Sequence, residues 1–235
     1  MNVAIIAAAG QGTRLGGERP KQFLELAGIP IIIHTLKRFE QCAEIQEIIV
    51  VLPAADTANF LALVGEHGLR KLARVVPGGA TRAESVWCGL QSVRSTTAEI
   101  VAVHDGVRPF VTQEEITETV LAARASGAAI LTAPVIDTIK ETDDGKVLGT
   151  LDRARLRRAL TPQCFHYELL RRAFEQAPEI VAGATDESSL VERLGVTVSI
   201  VEGDARNIKI TRQEDLAFAE ILFEQASEFR IQKSE

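Results

Sequence analysis

The sequence has 235 residues, and its 26 Lys and Arg against 32 Asp and Glu give a formal net charge of −6. Taking ~150 residues per domain, this length indicates one large domain with an appendage rather than two full domains. The composition, 46% apolar and 25% charged, is typical of a globular protein and excludes global disorder, while the net acidity argues against nucleic acid or an anionic membrane as partner.

The cysteines and the N-terminal run bear on the compartment. Cys42, Cys88 and Cys164 are odd in number and far apart, which excludes a disulfide framework or a CxxC-based zinc site and predicts a reducing, cytoplasmic environment. The apolar run 1–9 lacks a positive segment before it and leads into a Gly-rich loop, so we predict a buried strand rather than a signal peptide. No apolar run approaches the ~20 residues that span a bilayer.

In chain order, short apolar runs predict buried strands at 3–9, 48–52, 73–76, 100–104, 128–133 and 196–201. They are mostly continuous rather than alternating, as in strands that are covered on both faces. Between the strands, helical spacing predicts three apolar faces: Ile32, Leu36 and Phe39; Ile116, Val120 and Ala123; and Leu216, Ala219 and Phe223. Thr112 with Glu115 reads as a capping box for the second of these helices, and Thr211 can cap the third.

This alternation predicts an α/β fold with a Rossmann-like, mostly parallel twisted sheet and helices on both faces. In such sheets ligands bind beyond the carboxyl ends of the strands. One segment, 137–151, breaks the alternation, because two short, mostly polar strands flank the strong turn signal Asp144-Gly145. We therefore predict that 137–151 forms a projecting β-hairpin arm.

The loop after the first strand is rich in glycine, and two common nucleotide motifs fail on it. A dinucleotide fingerprint that starts at Gly10 would need its third glycine where Leu15 stands. A P-loop that starts at Gly10 meets the same Leu15, and one that starts at Gly12 reaches Gly17 but has Glu18 in place of the required lysine.

What remains is a long Gly-rich loop that carries Arg14, Arg19 and Lys21. Backbone N–H groups of such a loop can surround phosphate oxygens, and Gly10 and Gly12 permit close approach. Arginine adds a planar fork and lysine a compact charge. The alternative is a surface loop with ordinary solvated cations.

The strand and loop together read A-A-A-G-x-G-x-R-x…P-K-Q, a pattern that resembles the signature of the sugar-phosphate nucleotidyltransferases. More narrowly, the chain resembles the 2-C-methyl-D-erythritol 4-phosphate cytidylyltransferase family, because further family motifs follow in order. They are P-G-G at 77–79, R-A-E-S-V at 82–86, H-D at 104–105, R-P at 108–109, A-P at 133–134, D-T at 137–138, D-R at 152–153, L-T-P-Q at 160–163, T-D-E at 185–187 and N-I-K-I-T at 207–211.

The resemblance implies a single nucleotidyltransferase domain over 1–235, with 137–151 as a dimerisation arm that reaches across a two-fold axis. It implies that CTP and methylerythritol phosphate give the CDP-alcohol and pyrophosphate. The substrate's own phosphate is the nucleophile, and because its second pKa is near ~6 it needs no general base. Catalysis then consists of positioning and of neutralising negative charge.

The resemblance also implies the site residues. Those expected to bind CTP are Ala8, Ala9, Gly10, Gly12, Arg14, Lys21, Gly78, Gly79 and Ser85. Those expected to bind the polyol phosphate are Asp105, Gly106, Arg108, Asp137, Thr138, Arg153, Thr161 and Lys209, with Thr138 and Arg153 serving the neighbouring subunit's site. The catalytic cations are Arg14, Lys21, Arg153 and Lys209, and Asp105 is expected to hold Mg²⁺ or another divalent cation.

Each assignment has an ordinary alternative. Lys21 can be a solvated lysine, Ser85 an exposed helix serine and Asp105 a turn or cap residue. The alternative for Arg153 is one charge in a basic helix that also holds 155, 157 and 158, and for Lys209 a lysine on an edge strand.

The sequence departs from the family at one point, since Ala80 stands where an acidic residue usually follows the glycine pair. This puts one cytosine or ribose contact in question. Two other functions remain open: a ribitol-5-phosphate cytidylyltransferase, which would share the loop and Asp105, and a non-catalytic nucleotide-binding relative.

Overall fold

The structure is a computed structural model and describes residues 1–10, 20–94, 96–176 and 183–232, without the side chains of 226–232. Its strands are β1 Asn2–Ala7, β2 Glu25–Leu26, β3 Ile29–Pro30, β4 Glu47–Leu52, β5 Leu72–Pro77, β6 Ile100–Asp105, β7 Ala128–Pro134, β8 Lys140–Asp143, β9 Lys146–Thr150, β10 Arg157–His166 and β11 Ser199–Glu202. Its helices are α1 Ile31–Gln41, α2 Thr57–Gly65, α3 Arg82–Gln91, α4 Gln113–Ser126, α5 Tyr167–Glu175, α6 Glu187–Glu192 and α7 Gln213–Gln232.

Seven strands form one sheet in the order β11-β7-β10-β6-β1-β4-β5. All neighbouring pairs are parallel except those that β10 makes with β6 and β7. The predicted α/β fold with a mostly parallel sheet is therefore confirmed. The six predicted strands all occur, although β11 begins three residues later than the predicted run at 196.

Both faces of the sheet are covered, which explains the continuous apolar runs. Along β1 and the residue after it, Ala4, Ile6 and Ala8 pack into one core cluster, with side chains of α1, α2 and α4. Val3 and Ile5 point the other way, into a cluster with α3, α5 and α6. The alternation of one strand between two cores places the helices in two layers around the sheet.

The helix starts agree with their sequence signals in part. The predicted capping box of α4 is present, since Thr112 accepts from the Glu115 amide and Glu115 accepts from the Thr112 amide. Before α7 the roles differ from the expectation: Thr211 donates its hydroxyl to Asp215 at 2.7 Å and its amide to the same carboxylate at 2.8 Å. The acceptor at this helix start is therefore Asp215.

Strand β10 is the strand of the central sheet that the sequence analysis missed. It begins with the exposed Arg157 and Arg158, and its register against β7 shifts between Ala159 and Gln163. Pro162, which cannot donate to a strand ladder, lies within that shift. The basic helix considered for this region is wrong, because a short 3₁₀ turn leads directly into the strand.

The predicted hairpin arm is present as β8 and β9, which pair antiparallel. Asp144 and Gly145 connect them with φ of 43° and 72°, the left-handed conformation that an Asp-Gly turn accommodates. Nearly every residue of both strands is exposed, including Val147 and Leu148, which are 63% and 64% exposed. Within the described residues, no helix is both long and apolar enough to cross a membrane.

Candidate active site

A cavity of about 610 Å³ opens beyond the carboxyl ends of β1, β5 and β6. Eight of the predicted site residues line it: Ala8, Ala9, Gly10, Lys21, Gly79, Ser85, Asp105 and Lys209. These residues come from five separate parts of the chain, and they include six of the nine residues predicted to bind CTP.

Backbone hydrogen bonds align the strand ends that form the cavity floor. The amide of Ala8 donates to Val51 at 2.9 Å, and the amide of Gly106 donates to Ala7 at 2.9 Å. The amide of Gly78 donates to Leu52, also at 2.9 Å. The turns after β1, β5 and β6 are therefore tied to their neighbouring strands.

The glycine pair after β5 lies where two segments meet closely. A Cβ at Gly78 would stand 2.4 Å from the Ala9 Cβ and 2.8 Å from the Ser85 Oγ. One at Gly79 would stand 2.5 Å from the Glu84 Cβ. Only glycine fits at these positions, because real Cβ atoms do not approach other heavy atoms this closely.

Helix α3 begins beside this glycine pair. Thr81 and Glu84 form a second capping box, and Glu84 also accepts from the Ala80 amide at 2.7 Å. The Ser85 hydroxyl donates to the Thr81 carbonyl at 2.8 Å, and the residue is only 3% exposed. Ser85 is therefore not an ordinary exposed serine; it lines the cavity with its hydroxyl proton already engaged.

Asp105, the last residue of β6, is surrounded by cations. Its Oδ1 accepts from Arg82 Nε at 2.9 Å, while Oδ2 contacts Lys209 Nζ at 2.9 Å and Arg108 Nε at 3.3 Å. Burial by itself raises the pKa of the Asp105 carboxyl, but these three cations outweigh it and hold the pKa well below its usual range. Asp105 is thus ionised, and its alternative as a simple turn or cap residue does not account for its partners.

Arg82 was not among the predicted site residues, although it lies in a family motif. It lines the cavity and bridges Asp105 to Glu187, whose Oε1 accepts from Arg82 Nη1 at 2.7 Å. Burial lowers the pKa of the Arg82 guanidinium, but the two carboxylates raise it above its ordinary value. Glu187 is fully buried, and burial raises the pKa of its carboxyl against the effect of Arg82.

Arg108 and Thr161 contact Asp105 but do not line the cavity. Arg108 Nη1 donates to the Asn207 carbonyl at 2.7 Å, and the Asn207 side chain donates to the Thr161 carbonyl at 3.0 Å. The Thr161 hydroxyl accepts from the Asp105 amide at 3.2 Å and bonds His104 Nδ1 at 3.0 Å. Burial lowers the pKa of His104 to about 3, so this histidine is neutral.

Lys209 lies outside any strand, so its alternative as an edge-strand lysine is wrong. The next residue, Ile210, donates its amide to the Val107 carbonyl at 3.0 Å, which attaches this segment to the turn after β6. Gly106 lies in that turn, where a Cβ would stand 2.9 Å from the Ala8 Cβ. The turn and the 207–211 segment together hold Lys209 against Asp105.

The remaining predicted residues lie elsewhere. Gly12 and Arg14 fall outside the described residues. Asp137, Thr138 and Arg153 are at the root of the arm and do not line the cavity of their own chain. Arg153 Nη1 donates to the Ile136 carbonyl at 2.8 Å.

Asp105 is the residue that was predicted to hold a divalent cation. In the described part of the chain, no group of three or more His, Cys, Asp or Glu side chains could hold an ion, and Asp105 is the one carboxylate that lines the cavity. One carboxylate is nevertheless enough for Mg²⁺ when phosphate oxygens supply other ligands.

Comparison with known proteins gives a consistent answer. The family model described as IspD: 2-C-methyl-D-erythritol 4-phosphate cytidylyltransferase matches residues 2–225. The chain is 44% identical to the protein of that name from Bacillus cytotoxicus, over 94% of this chain and 96% of that protein. It is 45% identical to the one from Pelotomaculum thermopropionicum, over 92% of each.

Solved structures are similar as well. The 4-diphosphocytidyl-2C-methyl-D-erythritol synthase of Anaerococcus prevotii matches with a TM-score of 0.84 at 33% identity, covering 95% of this chain and 96% of that one. The 2-C-methyl-D-erythritol 4-phosphate cytidylyltransferase of Thermus thermophilus matches with a TM-score of 0.74 at 35% identity, covering 93% of this chain and 97% of that one.

Proposed function

The chain belongs to the 2-C-methyl-D-erythritol 4-phosphate cytidylyltransferase family, and from this we infer that it transfers CMP from CTP to 2-C-methyl-D-erythritol 4-phosphate. The products are 4-diphosphocytidyl-2-C-methyl-D-erythritol, an intermediate of non-mevalonate isoprenoid biosynthesis, and pyrophosphate. The family match over 2–225 carries this conclusion, and the cationic cavity at the carboxyl edge of the sheet supports it.

The proposed chemistry needs no protein base. A phosphate oxygen of the polyol phosphate attacks the α-phosphorus of CTP, and the bond to the departing pyrophosphate breaks. The protein must align the two phosphates and offset the charge that accumulates as pyrophosphate leaves. Lys21 and Lys209 line the cavity and are suited to that task. We expect Arg14, from the loop outside the described residues, to join them.

We propose that the nucleotide base lies against Ala8–Gly10, the glycine pair and Ser85. The Ser85 hydroxyl donates to Thr81, so only its lone pairs remain to face a ligand. Cytosine presents an amino donor at the position where uracil presents a carbonyl acceptor. A hydroxyl that can only accept a hydrogen bond at that position favours cytosine over uracil. This selection does not require the acidic residue that Ala80 replaces.

We propose that the polyol phosphate binds away from the base, between two subunits. One subunit would supply Asp105 and Lys209, and the arm root of the other would supply Asp137, Thr138 and Arg153. Since the arm-root residues do not line the cavity of their own chain, a second copy would have to supply them. The exposed apolar side chains of the arm support a homodimer with isologous contacts.

Mixed dimers test this arrangement. Lys209→Ala and Arg153→Ala variants are each expected to be inactive alone. If the arm crosses between subunits, a mixed dimer retains one site with both residues intact, so mixing the variants should restore a fraction of the turnover. No recovery in dimers shown to have exchanged subunits would place both residues in one chain's site.

We further propose that Mg²⁺ or another divalent cation enters with the triphosphate. Both oxygens of Asp105 already accept from cations, so phosphate oxygens of the substrate would have to supply most of the ligands of such an ion. Such an ion would offset triphosphate charge. Calorimetric titration of CTP with and without Mg²⁺, on the native protein and on Asp105→Asn, measures the coupling directly.

We also propose a cytoplasmic location and no nucleic-acid partner. Cys42, Cys88 and Cys164 are free thiols, as is usual in a reducing compartment. The net charge of −6 opposes binding to a polyanion.

Pyrophosphate release tests the function. CTP, UTP and ATP are each supplied with methylerythritol phosphate or ribitol 5-phosphate, in the presence of Mg²⁺. The fastest turnover is expected with CTP and methylerythritol phosphate. Faster turnover with ribitol 5-phosphate would assign the other polyol, and CTP binding without turnover on either would indicate a nucleotide-binding relative.

A further inference from the structure

Glu187 is a fully buried carboxylate whose one hydrogen bond among the described residues goes to a cavity-lining cation. Its Oε1 accepts from Arg82 Nη1 at 2.7 Å, while its Oε2 is buried without a partner in the described part of the chain. Burying a carboxylate is costly even when one oxygen is paired. The cost suggests a role that a neutral side chain in the same place would not fill.

Hydrogen bonds at the start of α6 fix the position of Glu187. It is the first residue of α6, and Asp186 caps that helix by accepting from the Ser189 amide at 3.1 Å. Gln163 of β10 donates to Asp186 at 2.9 Å and accepts from the Ser188 amide at 3.0 Å. The start of α6 is thus attached to the central sheet, and the carboxylate has little freedom to move.

Arg82 is held between two carboxylates. Its Nε donates to Asp105 Oδ1 and its Nη1 to Glu187 Oε1, so two different parts of the planar guanidinium are anchored. With Oδ1 of Asp105 engaged, Oδ2 is the oxygen that contacts Lys209. The orientation of the Asp105 carboxylate therefore depends on Arg82, and that of Arg82 depends on Glu187.

We propose that Glu187 is a positioning residue for the transfer reaction: through Arg82 it orients the Asp105 carboxylate and so holds the Lys209 ammonium in place for the polyol phosphate. This rests on the function proposed above. Glu187 itself contacts no substrate. It also balances charge, because the three cations around Asp105 would otherwise face a single carboxylate.

The test is steady-state kinetics on Glu187→Gln, which keeps the shape and one acceptor oxygen but removes the charge. The KM for methylerythritol phosphate should rise and kcat should fall, together lowering kcat/KM about 10- to 100-fold, the effect of misplacing a reacting group by about 1 Å. The KM for CTP should stay within twofold. Local unfolding of α6 would instead reduce the amount of active enzyme and leave both KM values unchanged.

A double-mutant cycle isolates the path through Arg82. Arg82→Lys keeps the charge, but its single ammonium cannot donate from two fixed edges, so alone it should show the same pattern. Glu187→Gln should add nothing further in the Arg82→Lys background. Because Arg82 is partly exposed, Arg82→Lys also remains informative if Glu187→Gln does not fold.

Glu44→Gln is the matched control. Its side chain pairs with Arg124 at 2.9 Å, and its backbone carbonyl accepts from the Asn2 side chain at 2.7 Å, at the amino end of β1 and so on the opposite edge of the sheet from the cavity. Its kinetics should equal those of the native enzyme. A native-like KM for methylerythritol phosphate in Glu187→Gln or in Arg82→Lys, or additive effects in the cycle, would overturn the positioning role. Absence of turnover in the native enzyme would instead refute the proposed function.

Discussion

Gly78→Ala should weaken CTP binding while leaving the fold intact. The new methyl group would stand 2.4 Å from the Ala9 Cβ and 2.8 Å from the Ser85 Oγ. The closest contact, with Ala9, is not easily relieved, because Gly78 is tied to Leu52 by its amide and Ala9 follows a residue tied to Val51. The turn after β5 must therefore move away from the turn after β1, which widens the proposed base-binding slot.

The magnitude follows from overpacking, which costs about 1–3 kcal/mol when extra carbon is forced into a well-packed place. The free protein can relieve that strain by separating the two turns, but bound CTP would require them to close again. The dissociation constant for CTP should therefore rise about 5- to 150-fold, since 1.4 kcal/mol is a factor of ten. Isothermal titration of CTP measures it, with thermal unfolding as a check on the fold.

Two further variants sharpen the result. Gly65→Ala is the control, because a Cβ there meets nothing within 4 Å, and its CTP affinity should equal that of the native protein. Adding Ala9→Gly to Gly78→Ala removes the closest contact and should recover part of the lost affinity. Native CTP affinity in Gly78→Ala, or no recovery in the double variant, would refute the close-approach argument.

Three other predictions concern charge, pH and assembly. Lys21→Ala should lower kcat by about two to three orders of magnitude in the pyrophosphate assay, because its contact strengthens as charge develops, and a near-native kcat would contradict its catalytic role. The native-state pKa of His104 lies below its unfolded value of 6.5, so its contribution to stability is complete above that pH and is lost as pH falls towards 3. The drop in the free energy of unfolding between pH 7 and pH 5, measured with urea, should therefore be about 2 kcal/mol smaller in His104→Gln, and an equal drop in both proteins would argue against a buried neutral imidazole. Leu148→Asp, which charges an exposed apolar position on the arm, should give a monomer by light scattering with reduced turnover, and an unchanged dimer would exclude this part of the arm from the interface.

The strands that could be predicted from sequence are those whose burial is visible locally. The run at 100–103 is apolar throughout because both faces of β6 are covered. The turn at Asp144-Gly145 could be predicted because these residue types favour the left-handed conformation that it adopts. The sheet order could not be predicted, since neighbours such as β7 and β10 are chosen by packing between distant segments. β10 itself was missed because it starts with two arginines and contains a proline, and it is buried only by lying between β6 and β7.

Site residues, too, could be predicted where the local sequence marks them, but not where distant segments meet. Asp105 could be expected because it ends a recognisable strand, and the family motifs pointed to Lys21 and Lys209. The partnership of Arg82 with Glu187 joins residues 105 positions apart, and no local pattern marks it. Ion pairs between distant segments depend on the final placement of helices, so sequence reasoning finds the members without finding the pair.

The position of β10 links assembly to chemistry. The arm continues through a short turn into β10, and β10 pairs with β6, the strand that ends in Asp105. A dimer held by the arm would therefore anchor the middle of the sheet rather than its edge. Because a partner's arm would also complete the substrate site, dissociation on dilution would remove both supports, and specific activity would then depend on the concentration of the enzyme itself.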